Sequence, residues 1–287
     1  MVFLREPHGP IALAVYCFGM SKARTEMHFT HLYDHVLSEL EFGRTETAIN
    51  LLVGMLDAAE MRTTSRFTAS SELRDHSLHA MLLEDPISAD ALERSANAIH
   101  RVNMFNEHSF ADITSSTGRR LFAATSATAF ARALRHRREH AERKLKQAWR
   151  AGEKIWLVAD PHYDLLRTLN GFDTSNILVS SENGVLDADT GSKFDAILAP
   201  HLPDQLAMAA LQKASVRLCS HLSDCGAFVT SALLPGHPGT GWRRACFRWE
   251  PKCHDDTALA QIANPGFVSH TYRDETGCIA WLEVRRS

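Results

Sequence analysis

From residue 154 onward, short β-rich runs alternate with helical ones, and this restricts the second half of the chain to few architectures. The strand-like runs are 154–159, 176–181, 194–200 (FDAILAP) and 226–235 (GAFVTSALLP), with helical runs at 162–169 and 204–223. Strands joined through helices pair in parallel, so the pattern predicts an α/β, Rossmann-like, mostly parallel sheet. Only Glu275-Thr276-Gly277 separates the last two runs, FVSHTYRD and CIAWLEVRR, which predicts a closing antiparallel hairpin.

Before residue 154 the period is helical. Leu32, Val36, Leu37 and Leu40, then Ile49, Leu52, Met55 and Leu56, recur at helical spacing, and Gly43 marks a break between the two helices. Further helices are expected from Ser71 to before Pro86, from an N-cap at Ser88, and over 125–153, whose basic face reads as solvated. The organisation predicted is an irregular leader over 1–26, an all-α N-terminal domain over 27–150 and a Rossmann-like domain over 151–287. Met20 and Met27 are alternative functional starts.

A formal charge of −3 argues against a general nucleic-acid or membrane-surface binder. No apolar run reaches the roughly 18 residues of a membrane span. The six cysteines contain no C-x-x-C pair, and they read as reduced thiols of a cytoplasmic protein. His28, His31 and His35 could share a helix face, but no carboxylate or cysteine completes a ligand set, so no metal site is expected.

The chemistry turns on the first strand–helix junction, KIWLVADPHYDLL (154–166). In nucleotide-binding α/β folds this junction is glycine-rich, so that backbone N–H groups reach the cofactor. Here it reads Asp160-Pro161-His162. Asp is a favoured N-cap and Pro suits the first helical position, so local capping accounts for both residues. A carboxylate that takes the first-turn N–H groups withholds them from a ligand and repels a phosphate, which argues against a dinucleotide. Glu182 lies about 20 residues further on, where an acid binds ribose hydroxyls in such folds; a solvated loop glutamate fits the same position equally well.

FDAILAPHLPDQL, LSDCGAFVTSALLPGHPGTGW and YRDETGCIAWLEVRR resemble the later strands of class I methyltransferases that use S-adenosyl-L-methionine (AdoMet). More narrowly they resemble the bacterial group that makes extracellular factor 3-hydroxypalmitic acid methyl ester, a quorum signal. HAMLLEDPISADAL and the helix ending in Arg137-Arg138 are similar to that group's helical segments, and the likeness runs from about residue 70 to the end. Three departures fall on ligand-facing loops. SANAIHRV (95–102) replaces a glycine-rich segment, Asp160-Pro161 replaces Cys-Gly, and only a dozen or so residues separate Glu182 from FDAIL, too few for a further helix and strand.

The resemblance implies an AdoMet crevice bordered by Asp160, His162, Glu182 and His201. It also implies acyl-substrate contacts from the loop LLPGHPGTGWRR, through His237 and Trp242, and from Arg137. His201, at a strand's carboxyl end, is either a general base or a filler of the crevice, and the reading favours filling. Asp204 matches a family aspartate and also suits a helix N-terminus. The expectation is therefore a degenerate methyltransferase-like pseudoenzyme that binds an acyl small molecule or a paralogous methyltransferase. The alternative is an active AdoMet-dependent O-methyltransferase that forms a methyl ester of a hydroxy fatty acid-like carboxylate.

Overall fold

A computed structural model describes residues 29–62, 65–93, 113, 115–159, 165–171, 173–181, 184–185, 190–247 and 249–287. Among the described residues, seven helices precede the sheet: α1 (Thr30–Glu41), α2 (Thr45–Glu60), α3 (Ser65–Asp75), α4 (Ser77–Leu82), α5 (Pro86–Glu93), α6 (Ser116–Ala127) and α7 (Ala129–Arg150). The break after α1 lies at Gly43, whose φ of 75° is the left-handed value glycine adopts without strain.

The helix starts differ from those read in the sequence, for local reasons. α3 begins at Ser65 rather than Ser71, and the chain breaks at His76, whose ring Nδ1 accepts the Leu78 N–H (3.1 Å) and caps α4. α5 is capped by Asp85 rather than Ser88. The Asp85 carboxylate accepts the Ile87 and Ser88 N–H groups at 3.2 Å each and the Ser88 hydroxyl at 2.8 Å, and Pro86 takes the first helical position. The 125–153 run is interrupted by Thr128, whose hydroxyl caps α7 through the Ala131 N–H.

The sheet comprises β1 (Ile155–Val158), β2 (Ile177–Ser180), β3 (Phe194–Ala199), β4 (Leu222–Leu233), β5 (Phe267–Arg273) and β6 (Ile279–Arg286), in the spatial order β2-β1-β3-β4-β6-β5. β2, β1, β3 and β4 are parallel; β6 runs antiparallel to β4 and β5 antiparallel to β6. This is the Rossmann-like, mostly parallel sheet with a closing hairpin that the sequence predicts. Beyond β2 the described residues contain no further strand, and β3 pairs with β1 on the side opposite β2. The segment 181–193 is too short for an additional strand–helix unit.

Both faces of the sheet are covered, as the fully buried run Ile155-Trp156-Leu157-Val158 requires. Alternate residues face opposite ways. Ile155, Leu157, Leu198, Val229 and Trp281 join a cluster with Leu52, Leu56, Leu121, Leu134 and Leu145 of the N-terminal helices. Trp156, Val158, Ile197, Phe228 and Leu282 pack on α9 (Met208–Ser220) and α11 (Asp256–Ala260). The remaining helical elements among the described residues are α8 (Leu202–Gln205), α10 (Thr240–Phe247) and a 3-10 turn over Leu165–Leu169. The helices of the first half and the sheet thus share one hydrophobic core.

α10 sits against α2 at a backbone-to-backbone contact. The Asp57 carboxylate of α2 accepts the Gly239 and Gly241 N–H groups, each at 2.7 Å, and so satisfies donors that the start of α10 would otherwise leave open. Gly241 has no side chain to hold the two helices apart. A Cβ there would lie inside contact distance of the Leu56 carbonyl and 2.6 Å from the Asp57 nitrogen.

Candidate functional site

In open α/β sheets ligands bind outside the carboxyl ends of the strands, where the strand order reverses. Here that place is the end of β1 and β3, flanked by β4. The Ala199 and Pro200 carbonyls there accept donors from the protein itself. The Ala199 carbonyl accepts the Thr230 hydroxyl (2.6 Å). The Pro200 carbonyl accepts Arg137 Nε (3.0 Å), Arg137 Nη2 (2.5 Å) and the Ser231 hydroxyl (2.7 Å).

Arg137 is fully buried and is the strut of this edge. Besides Pro200, its Nη2 donates to the Ser231 carbonyl (2.8 Å), its Nε to Ser231 Oγ (2.7 Å), and its Nη1 to Asp204 Oδ2 (2.6 Å). The other Asp204 oxygen accepts the Leu233 N–H (3.2 Å), and the Asp204 carbonyl accepts the Lys252 N–H (2.7 Å). Burial by itself would raise the Asp204 carboxyl. The Arg137 cation overrides it, with help from His201, and the carboxyl is held down to about 2. The basic run of α7, expected to be solvated, therefore turns one arginine inward. It lies in the stripe Leu134–Arg137–Ala141–Leu145–Ala148 that faces the sheet.

His201 directly follows Pro200 and is buried, with Nδ1 3.9 Å from Asp204 Oδ2. Its pKa is lowered to about 4, first by burial and then by the Arg137 charge, so the imidazole is neutral near pH 7. Arg137, His201 and Asp204 thus form one buried cluster at the expected ligand edge. His237 and Trp242 contribute to the packing between α10 and the N-terminal helices. His237 stacks on Phe130 (ring centroids 5.2 Å, 9° between planes), and its Nδ1 donates to the Pro238 carbonyl (2.8 Å). Trp242 is buried and meets Phe247 edge-on at 5.1 Å. Asp160, His162 and Glu182 lie outside the described residues. Asp57, which anchors the loop before α10, was not singled out by sequence; it has no distinguishing neighbours along the chain.

The buried histidines make stability depend on pH. Burial depresses His201 and His237 to about 4, below the value of about 6.5 for an unfolded chain. Between those values the unfolded state binds more protons, so their contribution is complete above about pH 6.5 and is lost as pH falls towards 4. The melting temperature is expected to drop steadily from pH 7 to pH 4.5, and less steeply in His237→Gln; a flat profile in the parent chain would contradict the burial of neutral rings.

No protein-family model matches this sequence, and no curated protein sequence does. Among solved structures, a possible exported protein from Bordetella parapertussis is similar with a TM-score of 0.55 at 14% identity, over 88% of this chain and 96% of that one. A magnesium protoporphyrin IX methyltransferase from Synechocystis PCC 6803 with bound S-adenosylhomocysteine has a TM-score of 0.40 at 9% identity, over 58% of this chain and 88% of that one. A glycopeptide N-methyltransferase, MtfA, gives 0.37 at 10% identity, over 53% and 90%. The first likeness takes in the sheet together with much of the helical region and concerns the fold alone. Fold and edge together define the class: an α/β protein with a Rossmann-like sheet, a helical N-terminal region and an internally hydrogen-bonded carboxyl edge.

Proposed function

We propose that this chain is a methyltransferase-like protein whose AdoMet binding is weak or lost, and that it acts as a pseudoenzyme by binding a ligand or a partner. The observation that carries this reading is the occupied carboxyl edge of β3 and β4. An adenosyl group resting there needs open backbone groups and room for close approach. Instead the Ala199 and Pro200 carbonyls and the Asp204 carboxylate already accept protein donors, and the His201 ring is buried beside them. On this reading the described part of the edge offers the cofactor no open carbonyl at Ala199 or Pro200, and no chemical step is derived through it. Asp85-Pro86 adds support, because there the same dipeptide as Asp160-Pro161 opens a helix with its carboxylate on the first-turn N–H groups. By sequence analogy Asp160 would withhold the corresponding donors from a cofactor.

The second reading, an active AdoMet-dependent O-methyltransferase acting on a hydroxy fatty acid-like carboxylate, rests on the sequence motifs quoted above and on the parallel sheet with its closing hairpin. Titration with AdoMet and with S-adenosylhomocysteine separates the two. A ligand at 100 times its dissociation constant stabilises a folded chain by about 2.7 kcal/mol, which a thermal shift resolves. The proposal expects no shift with either compound at millimolar concentration; a saturable shift would favour the enzyme. The partner in the pseudoenzyme reading is an acyl small molecule or a paralogous methyltransferase, and co-purification with that paralogue is the corresponding test. We assign the chain to the cytoplasm on its cysteine pattern, and cell fractionation tests that assignment. No helix among the described residues is long and apolar enough to cross a membrane.

A further inference from the structure

A second concave region lies between the middle of α7 and the β5–β6 hairpin. Its volume is about 330 Å³, with His140, Arg143, Tyr272 and Trp281 among its lining residues. That volume is at the lower end of the range for small-molecule sites, about 300–1,000 Å³.

The side chains are held in a fixed order. His140 packs against the Trp281 ring (centroids 4.2 Å apart). Arg143 Nη2 lies 3.3 Å from His140 Nδ1, and the Tyr272 hydroxyl lies 3.0 Å from His140 Nε2. A guanidinium only donates, so Nδ1 must accept, and the ring proton sits on Nε2. Nε2–H then donates to the Tyr272 oxygen, which leaves the phenol's own O–H free to donate elsewhere. Burial and the nearby Arg143 and Lys144 charges lower His140 to about 4, so it stays a neutral relay, while burial pushes Tyr272 up to about 12, so it stays a donor.

The groove is lined by the carboxylates Glu139, Asp274 and Glu275 as well as by Arg143 and Arg273, and Glu275 is exposed at the hairpin turn. Arg273 is paired with Asp256 and Lys144 with Glu283. Asp274 is occupied by the hairpin turn, where it accepts from the Cys278 and Ile279 N–H groups (3.1 and 2.9 Å). Arg143 has no carboxylate partner among the described residues. Glu139, one helical turn earlier and also on the groove, is the nearest competitor along the helix, and it forms no ion pair with Arg143 in the structure.

We propose that this groove binds a small molecule carrying a carboxylate on an apolar body, with Arg143 and Tyr272 donating to the carboxylate and His140 holding Tyr272 in its donor orientation. Arginine and a phenol O–H converging on one half-apolar groove suit an oxyanion better than a neutral amide. The inference does not depend on the AdoMet question, because its test uses no adenosyl compound.

The test is a titration of the full chain with benzoate, and with benzamide as the neutral counterpart, followed through the Trp281 indole N–H resonance. Benzoate is expected to bind with a dissociation constant near about 1 mM, and benzamide at least about tenfold more weakly. Arg143→Gln is expected to weaken benzoate about tenfold or more, and Tyr272→Phe about fivefold. Arg143 is exposed, so its variant tests the contact without testing the fold. Three results would each overturn the proposal: no benzoate binding at 20-fold the expected constant (about 20 mM), equal affinity for benzamide, or unchanged affinity in both variants.

Discussion

Arg137→Ala is expected to destabilise the chain by about 3–5 kcal/mol, because it leaves the Asp204 carboxylate buried without its cation. The urea midpoint should fall accordingly with little change in slope. Removing both charges, as in Arg137→Met with Asp204→Asn, should recover most of the loss, since a missing pair costs far less than a stranded charge. The experiment also separates two roles. A ligand-contacting arginine on an open crevice could be replaced with little effect on stability, whereas a strut could not. A loss below about 1 kcal/mol, the range of exposed ion pairs, would remove Arg137 from the structural role described here. Acid should act on the same pair. The Asp204 carboxyl is depressed in the folded chain, so its contribution is present above an unfolded value of about 3.9 and is lost as pH falls towards about 2.

Gly241→Ala is the second large effect. The new methyl group would meet the backbone of α2, at the Leu56 carbonyl and the Asp57 nitrogen, and neither can rotate away. Seating it requires α10 to move from α2, which also lengthens the Asp57 hydrogen bonds to Gly239 and Gly241. A loss of about 3 kcal/mol is expected in chemical denaturation. Gly54→Ala is the control: it lies within α2, nothing lies within 4 Å of its added Cβ, and it should stabilise by about 0.5–1 kcal/mol. If the two variants behaved alike, the close approach of α2 and α10 would be wrong.

The fold was largely legible, because a switch from helical to strand periodicity at residue 154 shows in the order of apolar residues alone. The hairpin was legible for the same reason, since Glu275-Thr276-Gly277 leaves no room for a crossover. Helix starts were less so. His76 caps α4 through a ring nitrogen, which no simple capping rule anticipates, and the Asp85-Pro86 pair was passed over in favour of Ser88. Of the site, the sequence placed His201 at the carboxyl end of a strand, and it is buried there beside Asp204. Arg137 was expected as an acyl-substrate contact, and its role as a buried strut was not legible, because its partner Asp204 lies 67 positions away. The available signal was its place in the apolar stripe of α7, where a charge needs an internal partner. Asp57 and the His140–Tyr272 pair depend on contacts across 182 and 132 positions, which periodicity does not carry.

The shared core has a further consequence for how the molecule melts. Leu52, Leu121 and Leu145 touch the same cluster as Leu157, Val229 and Trp281, so neither half buries its apolar surface alone. Loosening the helices uncovers one whole side of the sheet, and the two should come apart in one cooperative step. A molecule bound at the far hairpin would then protect the first helix as effectively as the last strand.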